Sequence, residues 1–456
     1  MRVACAVDAV PGTARAILTG LIVLILSMGG LPGAGSMLTA RPARAEEARP
    51  SRTITYQILF NGAPASEEGR ILVETSGASA LVRQVLDGRP LDNAPEEAGW
   101  ICYEDSTTWQ TARFRDGRKI AVNLSARELS IQNMGRSSQS WINQHLIYTH
   151  GYGLVMSRVD RMTPEGMPEF LLYDIPHRSR ISLKVDRPEI YYGEHENPYV
   201  IVNTTITPGE FDYPSGEDNI YTKYAGKGGV ALDSFMKRLM FTVALNNINI
   251  LITGSITRES RVLYRRNIVE MARTMAPFLE LDDDPYLVVS GGRLYWIIDA
   301  YTVTDNFPYS TPVRTQDDRR INYVRNSVKV VIDAYEGSMH FYAVDPGDPI
   351  IATYSRIFPG LFKKFDDAPA DLRNHFRYPE DLFNVQSAVL LRYHMKNVDV
   401  FYGNEDAWSF SKQVFEDRED MVHSYYLVTK LPKEERSEFI LTIPFTPLGR
   451  ENKNMV

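Results

Sequence analysis

Several segments of the sequence place an aromatic ring near a carboxylate, as carbohydrate-binding sites do. A ring face packs against the apolar C–H groups of a sugar, and a carboxylate accepts hydrogen bonds from its hydroxyls. Five residues are therefore candidate ligand-binding groups for a cell-envelope glycan: Tyr192, Trp296, Asp299, Asp305 and Tyr309. Glycan cleavage would also need two carboxylates about 5–10 Å apart. The alternative is that these aromatic residues only pack within strands, where such residues are favoured.

Three consecutive carboxylates, Asp282, Asp283 and Asp284, form the densest acidic run of the chain. Calcium takes six to eight oxygen ligands, and an acidic loop could supply some of them. The spacing of an EF-hand loop is missing here. A calcium-stabilised scaffold is one hypothesis, a solvated turn is the other, and no other cofactor is expected.

The remaining motifs that could carry chemistry are incomplete. His145 and His150 are five residues apart, so on one helix they would point about 140° away from each other. The stretch Gly226-Lys227-Gly228 lacks the Ser or Thr that follows Lys in a phosphate-binding loop. The chain contains no G-x-S-x-G nucleophile motif. The sequence thus identifies no catalytic residue, and it favours a non-enzymatic role while leaving an enzyme open.

The N-terminal residues read as a targeting segment. Arg2 and Arg15 precede an apolar run at 16–28, which is too short for the roughly 20 residues that a membrane span requires. Ala43-Arg44-Ala45 matches a small-x-small cleavage site, so we expect a signal peptide over residues 1–45. The alternative is an uncleaved membrane anchor. Either interpretation predicts export, to the periplasm or the extracellular space or with the chain anchored facing outside.

The charge balance narrows the class of partner. The 456-residue chain has a formal net charge of -7 at pH 7. Residues 1–45 hold four arginines and one aspartate, so their removal leaves a net charge of -10. An acidic chain repels phosphate backbones, and we therefore expect no nucleic-acid partner. An envelope protein or a glycan remains the expected partner.

The elements that must position these groups suggest an α+β fold, antiparallel and rich in strands, with several packed helices and a small β module before it. We place that module at 52–125, the first part of the main domain at 126–345, and its continuation, a helix plus strands, at 346–456. The pair Gly291-Gly292 and the pair Glu336-Gly337 each predict a hairpin.

The second half of the chain contains the sequence signals of three helices. Asp233 or Ser234 can cap a helix that carries its apolar residues on one face: Phe235, Met236, Leu239, Met240, Val243 and Ala244. A second helix is expected at about 260–274, and a third from Pro379 to about Met395. By contrast, the stretch 212–229 has no period and predicts a surface loop.

Six long segments together make the sequence similar to one bacterial family. They are 141–153 (WINQHLIYTHGYG), 163–170 (TPEGMPEF), 187–194 (RPEIYYGE), 210–216 (EFDYPSG), 295–302 (YWIIDAYT) and 377–383 (RYPEDLF). From about residue 126 to residue 447 the chain resembles the bacterial uncharacterised protein family (UPF) 0182. The resemblance implies an extracytoplasmic domain that, in the family, follows several membrane helices, and it brings no functional residues with it.

The resemblance leaves both ends of the chain different from the family pattern. We therefore expect the extracytoplasmic domain alone, or a truncated or fused version of a larger membrane protein. The expected function is a non-enzymatic extracytoplasmic domain of a cell-envelope protein. Membrane association would come through the N-terminal segment or through the family's membrane part. The glycan-binding or glycan-cleaving module and the calcium-stabilised scaffold are the alternatives.

Overall fold

The computed structural model describes residues 103–104, 107–113, 119–131, 139–181, 183–195, 197–215, 218–314, 320–415, 418–431 and 437–449. The predicted leader at 1–45 and most of the predicted β module at 52–125 lie outside the described residues. Within them, helices and mostly antiparallel strands alternate along the chain, which confirms the α+β prediction.

The first strands build an antiparallel five-stranded sheet. The strands of this region are β1 (Tyr103–Glu104), β2 (Thr107–Arg113), β3 (Lys119–Ala126), β4 (Glu128–Leu129), β5 (Gly151–Tyr152), β6 (Leu154–Met162), β7 (Pro168–Tyr173) and β8 (Arg178–Ser179). The sheet order is β2-β3-β6-β7-β8. Strand β3 runs through the boundary that the sequence suggests at 125 and 126, and it pairs with β6 from Val122 to Ala126.

The middle of the chain forms smaller sheets, with strands β9 (Glu189–Ile190), β10 (Val200–Val202), β11 (Glu210–Ser215), β12 (Asp218–Thr222), β13 (Val230–Ala231) and β14 (Arg261–Leu263). Strand β14 lies between β10 and β13. Strands β11 and β12 form an antiparallel hairpin, so the first part of the predicted surface loop over 212–229 is a pair of strands that ends at Thr222. A register shift between Phe211 and Tyr213 interrupts the alternation that would have shown the hairpin.

A six-stranded sheet forms the centre of the fold. Its region contains β15 (Glu280–Leu281), β16 (Tyr286–Ser290), β17 (Arg293–Thr304), β18 (Val313–Arg314), β19 (Arg320–Ile321), β20 (Tyr323–Asp333), β21 (Met339–Ala343) and β22 (Phe362–Lys364). The order is β15-β17-β20-β21-β22, and β16 also pairs with β17. Both predicted hairpins are confirmed. Gly291 and Gly292 both have positive φ, as the tight two-residue turn requires.

The C-terminal strands occur in two-stranded pairs, β23 with β28, β24 with β25 and β26 with β27. Their bounds are β23 (Trp408–Phe410), β24 (Lys412–Phe415), β25 (Arg418–Met421), β26 (Tyr425–Thr429), β27 (Glu438–Thr442) and β28 (Phe445–Pro447).

The helices are short and mostly capped by side chains. They are α1 (Phe235–Ala244), α2 (Asn249–Ile252), α3 (Ile268–Met275), α4 (Pro349–Ile357), α5 (Ala370–Arg373), α6 (Glu380–Tyr393) and α7 (Val398–Gly403), with a π-helix at Asn143–Ile147 and a 3-10 turn at Phe365–Asp367. Ser234 accepts from the Lys237 amide at the start of α1, as predicted. The helix predicted from residue 260 was wrong at its start, because 261–263 pair in a sheet and α3 begins after its cap Asn267.

The main hydrophobic core lies between the two large sheets. Leu124 of β3 and Leu154 of β6 share one buried cluster with Trp296 of β17 and Val330 of β20. Residues of alternate parity on the central sheet, such as Ile297 and Val331, pack in a second cluster with α5. The central sheet is therefore covered on both faces. No helix among the described residues is both long and apolar enough to cross a bilayer.

Candidate functional site

Acidic and basic side chains gather on the second face of the central sheet. We call Asp282, Asp284, Asp299, Lys329 and Arg377 the charged cluster. The loop between β15 and β16 supplies the first two residues, β17 supplies Asp299, and β20 supplies Lys329. Arg377 precedes α6, which begins with Glu380 and Asp381. The cluster thus joins the central sheet to the C-terminal helical part.

Asp299 and Lys329 form the inner ion pair of this cluster. They are direct cross-strand partners in the β17–β20 register, so their side chains leave the sheet on the same face. Lys329 Nζ bonds Asp299 Oδ1, and both residues are buried. Asn326 Nδ2 also donates to that oxygen at 2.8 Å, and Lys329 Nζ donates to the Arg377 carbonyl oxygen at 2.7 Å. Burial lowers the pKa of Lys329, an effect that Asp299 opposes.

Arg377 holds the outer part of the cluster. Its guanidinium bonds the Asp284 carboxylate and lies 4.2 Å from the ring centroid of Tyr286 and 5.1 Å from that of Tyr426. A guanidinium held over two aromatic rings while it bonds a carboxylate suits arginine better than lysine. Tyr286 belongs to the central sheet and Tyr426 to β26, so one side chain connects the two parts of the fold.

The three consecutive aspartates of the predicted calcium site have different partners. Asp282 accepts from the hydroxyl of Tyr301 and from the Asp284 amide at 3.0 Å. Asp284 bonds Arg377, while Asp283 is exposed. In the part of the chain that the structure describes, no three His, Cys, Asp or Glu side chains are arranged to hold a metal ion. Calcium stabilisation stays a prediction, and melting with and without a chelator is its test.

Asp381, next to this acidic loop, gives a prediction about pH. Burial, together with the charge of Asp282, raises the pKa of Asp381 from 3.8 to about 6. The folded state therefore binds this proton more tightly than the unfolded state does. The resulting stability is complete below about pH 3.8 and is lost as the pH rises through about 6. Asp381→Asn should therefore raise the free energy of unfolding at neutral pH by about 1 kcal/mol, allowing for partial exposure.

Urea unfolding of both proteins across this pH range checks the expectation. The gain should shrink to nothing as the pH falls from about 6 to about 3.8. Equal stabilities at neutral pH, or a gain that persists in acid, would show that the proton on Asp381 is not linked to folding.

The structure divides the five predicted glycan ligands between the protein interior and an exposed loop. Trp296 is 0% exposed, and its Nε1 donates to the Tyr192 carbonyl oxygen at 3.0 Å. Tyr192 is buried too, and Asp299 is held in the ion pair with Lys329. Asp305 and Tyr309 instead lie on an exposed loop after β17. The five residues do not share one surface.

An open groove does lie beside that exposed loop, where the sequence did not indicate one. Its volume is about 280 Å³, between strand β20 and helix α6. Polar and aromatic lining groups are Thr311, Asn322, Tyr323, Gln386 and Tyr393. Thr311 Oγ1 and the Tyr393 hydroxyl are 3.0 Å apart, and Phe307 stacks on Tyr323 with 5.2 Å between centroids. Gln386 and Tyr393 are seven residues apart on α6, which is the one signal that they share a face.

A second buried polar network lies around His150. Its Nδ1 is 2.8 Å from the hydroxyl of Thr149, and its Nε2 is 3.3 Å from Asp212. The order hydroxyl, imidazole and carboxylate matches a nucleophile relay, but Thr149 and His150 are both buried. His145 lies elsewhere, stacked on Tyr199 at 4.1 Å. The two histidines therefore have separate partners.

Arg266 adds three hydrogen bonds to this buried network. Its guanidinium donates to three carbonyl oxygens, those of Tyr191 at 2.6 Å, Pro198 at 3.0 Å and Thr149 at 2.7 Å. The Tyr191 hydroxyl donates to Glu210 at 3.0 Å. Burial raises the pKa of Glu210, which hydrogen bonds from neighbouring amides oppose. These contacts fix three loops against each other.

The fold and the charged groups define an α+β protein that uses its buried acids and bases to join segments of its own chain. Comparison with known proteins identifies the family. The family described as "Uncharacterised protein family (UPF0182)" matches residues 105–456, and the chain belongs to this family. The resemblance seen in the sequence is thus confirmed, and the match begins 21 residues before the expected residue 126.

Curated relatives are much longer than this chain. A UPF0182 protein of Methanospirillum hungatei is 50% identical over 340 residues, which are 74% of this chain and 38% of the relative. A UPF0182 protein of Moorella thermoacetica is 48% identical over 401 residues, 87% of this chain and 43% of the relative. The chain therefore spans about two-fifths of the length of these relatives. No solved structure matches it.

Proposed function

We propose that the protein is a non-enzymatic extracytoplasmic domain of a cell-envelope or membrane protein, acting through contact with envelope partners. The observation that carries the proposal is how the carboxylates of the charged cluster are used. Asp282, Asp284 and Asp299 are each engaged by a hydroxyl, a guanidinium or an ammonium group of the protein. Burial raises the pKa of Asp282 and of Asp284, yet each of the three carboxylates is bonded to a group of the protein's own chain, so these contacts join segments of the fold.

Export is supported by the apolar run at 16–28 and by the alanines around residue 44. Labelling of cells by an amine reagent that cannot cross the inner membrane tests it, after permeabilisation of any outer membrane. The wild-type chain should be labelled and crosslinked to envelope partners. Leu24→Arg, which breaks the apolar run, should leave the chain unlabelled. Equal protection of both proteins would reject export.

The non-enzymatic part of the proposal has its own test. The purified protein is incubated with envelope polysaccharides and peptides, and the products are analysed by mass spectrometry. No turnover is expected. Turnover that Asp282→Asn or Asp299→Asn abolishes, in a variant that keeps the wild-type melting temperature, would make the protein an enzyme.

Glycan binding is a second candidate, and the groove beside α6 favours it. Tyr323 and Tyr393 offer aromatic rings, and Gln386 and Asn322 offer amide groups. The groove itself has the size of a small sugar unit. Calorimetry with peptidoglycan fragments should then show binding that Tyr393→Ala weakens by about tenfold or more. Tyr402→Ala is the control, because Tyr402 is also strongly exposed but does not line the groove. Absence of binding to a broad glycan panel would remove this candidate.

A further inference from the structure

Helices α1 and α2 carry an apolar face that points away from the protein. The face consists of Phe235, Met236, Met240, Val243, Ile248 and Ile252, which are 57–73% exposed. Its α1 members belong to the apolar side that the sequence suggests for this helix. In the structure the opposite side of α1, with Phe241 and Thr242, packs inward instead.

The outward orientation is fixed by contacts on the inner side. Phe241 packs edge-on against Tyr264 with 5.5 Å between centroids, and Ile250 of α2 is fully buried in the same cluster as Leu146. Arg238 donates to the Ile256 carbonyl oxygen, which joins α1 to the segment after α2. Each helix is therefore anchored to the protein by one side, while its outward apolar side remains exposed to water. Exposed apolar patches of this kind mark interaction surfaces.

The charges around the apolar face indicate its partner. Residues 239–257 contain no Asp, Glu, Lys or Arg. With the residues on either side included, the stretch 233–266 holds six basic and two acidic residues, in a chain whose net charge is -7. At the surface of this stretch Lys237, Arg258 and Arg265 stand against Asp233 and Glu259, a net charge of +1, and Lys237 pairs with Asp233 at 2.8 Å. An apolar centre with a basic rim complements an anionic bilayer, where acyl chains lie beneath negative headgroups.

The form of the surface agrees with the same partner. More than half of each of the six side chains is exposed, so they project from the surface instead of lining a groove. A bilayer interface adapts to projecting side chains, whereas a folded protein would need a matching cavity. We propose that the apolar face of α1 and α2 inserts into the interface of an anionic lipid bilayer. The proposal is independent of whether the chain is exported, because any anionic membrane surface would serve.

A fluorescent label that reports insertion tests the proposal on the full chain. An environment-sensitive NBD label is attached at Val243→Cys in a chain with Cys5→Ser and Cys102→Ser. Val414→Cys carries the control label, since Val243 and Val414 are 73% and 71% exposed. Vesicles of phosphatidylcholine with about one-third phosphatidylglycerol should shift the emission to the blue at position 243 only. A quencher attached to acyl chains should then reduce that signal.

The position of the label distinguishes insertion of this face from vesicle binding elsewhere and from self-association. Since the reporter is local, binding of vesicles through the N-terminal apolar run would not produce the shift at position 243. An unchanged emission at 243 in the presence of bound vesicles overturns the proposal. A blue shift that depends on protein concentration and not on lipid would also overturn it, because a second copy of the chain would then cover the face.

Paired substitutions give the size of the effect. Met240→Ser with Val243→Ser should weaken vesicle binding, measured through the label moved to Ile252→Cys, by about tenfold or more. Met421→Ser with Val414→Ser removes the same side chains at similar exposure and should change nothing. Vesicles without phosphatidylglycerol should bind less tightly by about fivefold, the effect of the one net positive charge at the rim. Equal effects of the two serine pairs would contradict the proposal.

Discussion

Lys329→Met should lower the free energy of unfolding by about 3–5 kcal/mol, the cost of leaving one member of a buried ion pair without its partner. Asp299 would then keep the Asn326 amide but lose the ammonium group that Lys329 supplies within the sheet. The Arg377 carbonyl oxygen would lose its donor as well. Urea unfolding monitored by tryptophan fluorescence measures the loss, because Trp296 reports on the main core, on the opposite face of the same sheet.

An exposed pair of the same chemistry provides the control. Lys412 Nζ lies 2.8 Å from Glu419 on the hairpin of β24 and β25, with both side chains more than 60% exposed. Lys412→Met should therefore leave the unfolding curve unchanged, because solvent screens exposed pairs. If Lys329→Met cost no more than Lys412→Met, the Lys329–Asp299 pair would not stabilise the fold.

The double variant Lys329→Met with Asp299→Leu separates loss of a partner from loss of charge. Removing both charges eliminates the uncompensated carboxylate, so much of the stability should return. The recovery should be incomplete, since the Asn326 amide and the Arg377 carbonyl oxygen would still lack partners. A double variant as unstable as the single one would mean that shape, and not charge, limits stability here.

Local signals in the sequence were enough for the hairpins and for the start of α1. Gly291 and Gly292 permit the positive φ of a tight turn, and the Ser234 side chain satisfies a free amide of the helix. The turn and the helix cap each depend only on residues a few positions apart in the sequence. The ion pair of Asp299 and Lys329 is different, because it depends on the register of two strands about 30 positions apart. A lysine within the apolar run 328–332 was the only signal that such a partner exists.

The orientation of α1 shows a second limit of sequence patterns. The spacing of Phe235, Met236, Met240 and Val243 predicts that they share a face, and they do share one. The same pattern cannot tell whether that face meets the core, another chain or a membrane. Trp296 shows the reverse case. Its aromatic ring near a carboxylate suggested a ligand-binding residue, but the side chain is buried between the two large sheets. Burial depends on long-range packing, which local spacing does not contain.

Arg266→Met is expected to reduce the free energy of unfolding by about 3 kcal/mol or more, since three carbonyl oxygens would lose their donor inside the protein. The carbonyls belong to Thr149, Tyr191 and Pro198, on three separate segments. Burial lowers the pKa of Arg266 to about 10, which still leaves it charged at neutral pH. The neighbouring Arg265 is exposed, so Arg265→Met serves as the matched control and should be nearly neutral.

Arg266→Lys distinguishes the geometry of the guanidinium from its charge. Nε, Nη1 and Nη2 point in three directions of one plane and reach the three carbonyls separately, whereas one ammonium group at the end of a flexible chain cannot. The lysine variant should therefore recover only part of the loss, and hydrogen exchange should show faster opening of the segments around Thr149 and Pro198. Full recovery by lysine would mean that a positive charge is sufficient at this position. A loss no greater than that of Arg265→Met would mean that water replaces the guanidinium, and that other contacts, such as the pairing of β5 with β9, hold these segments together.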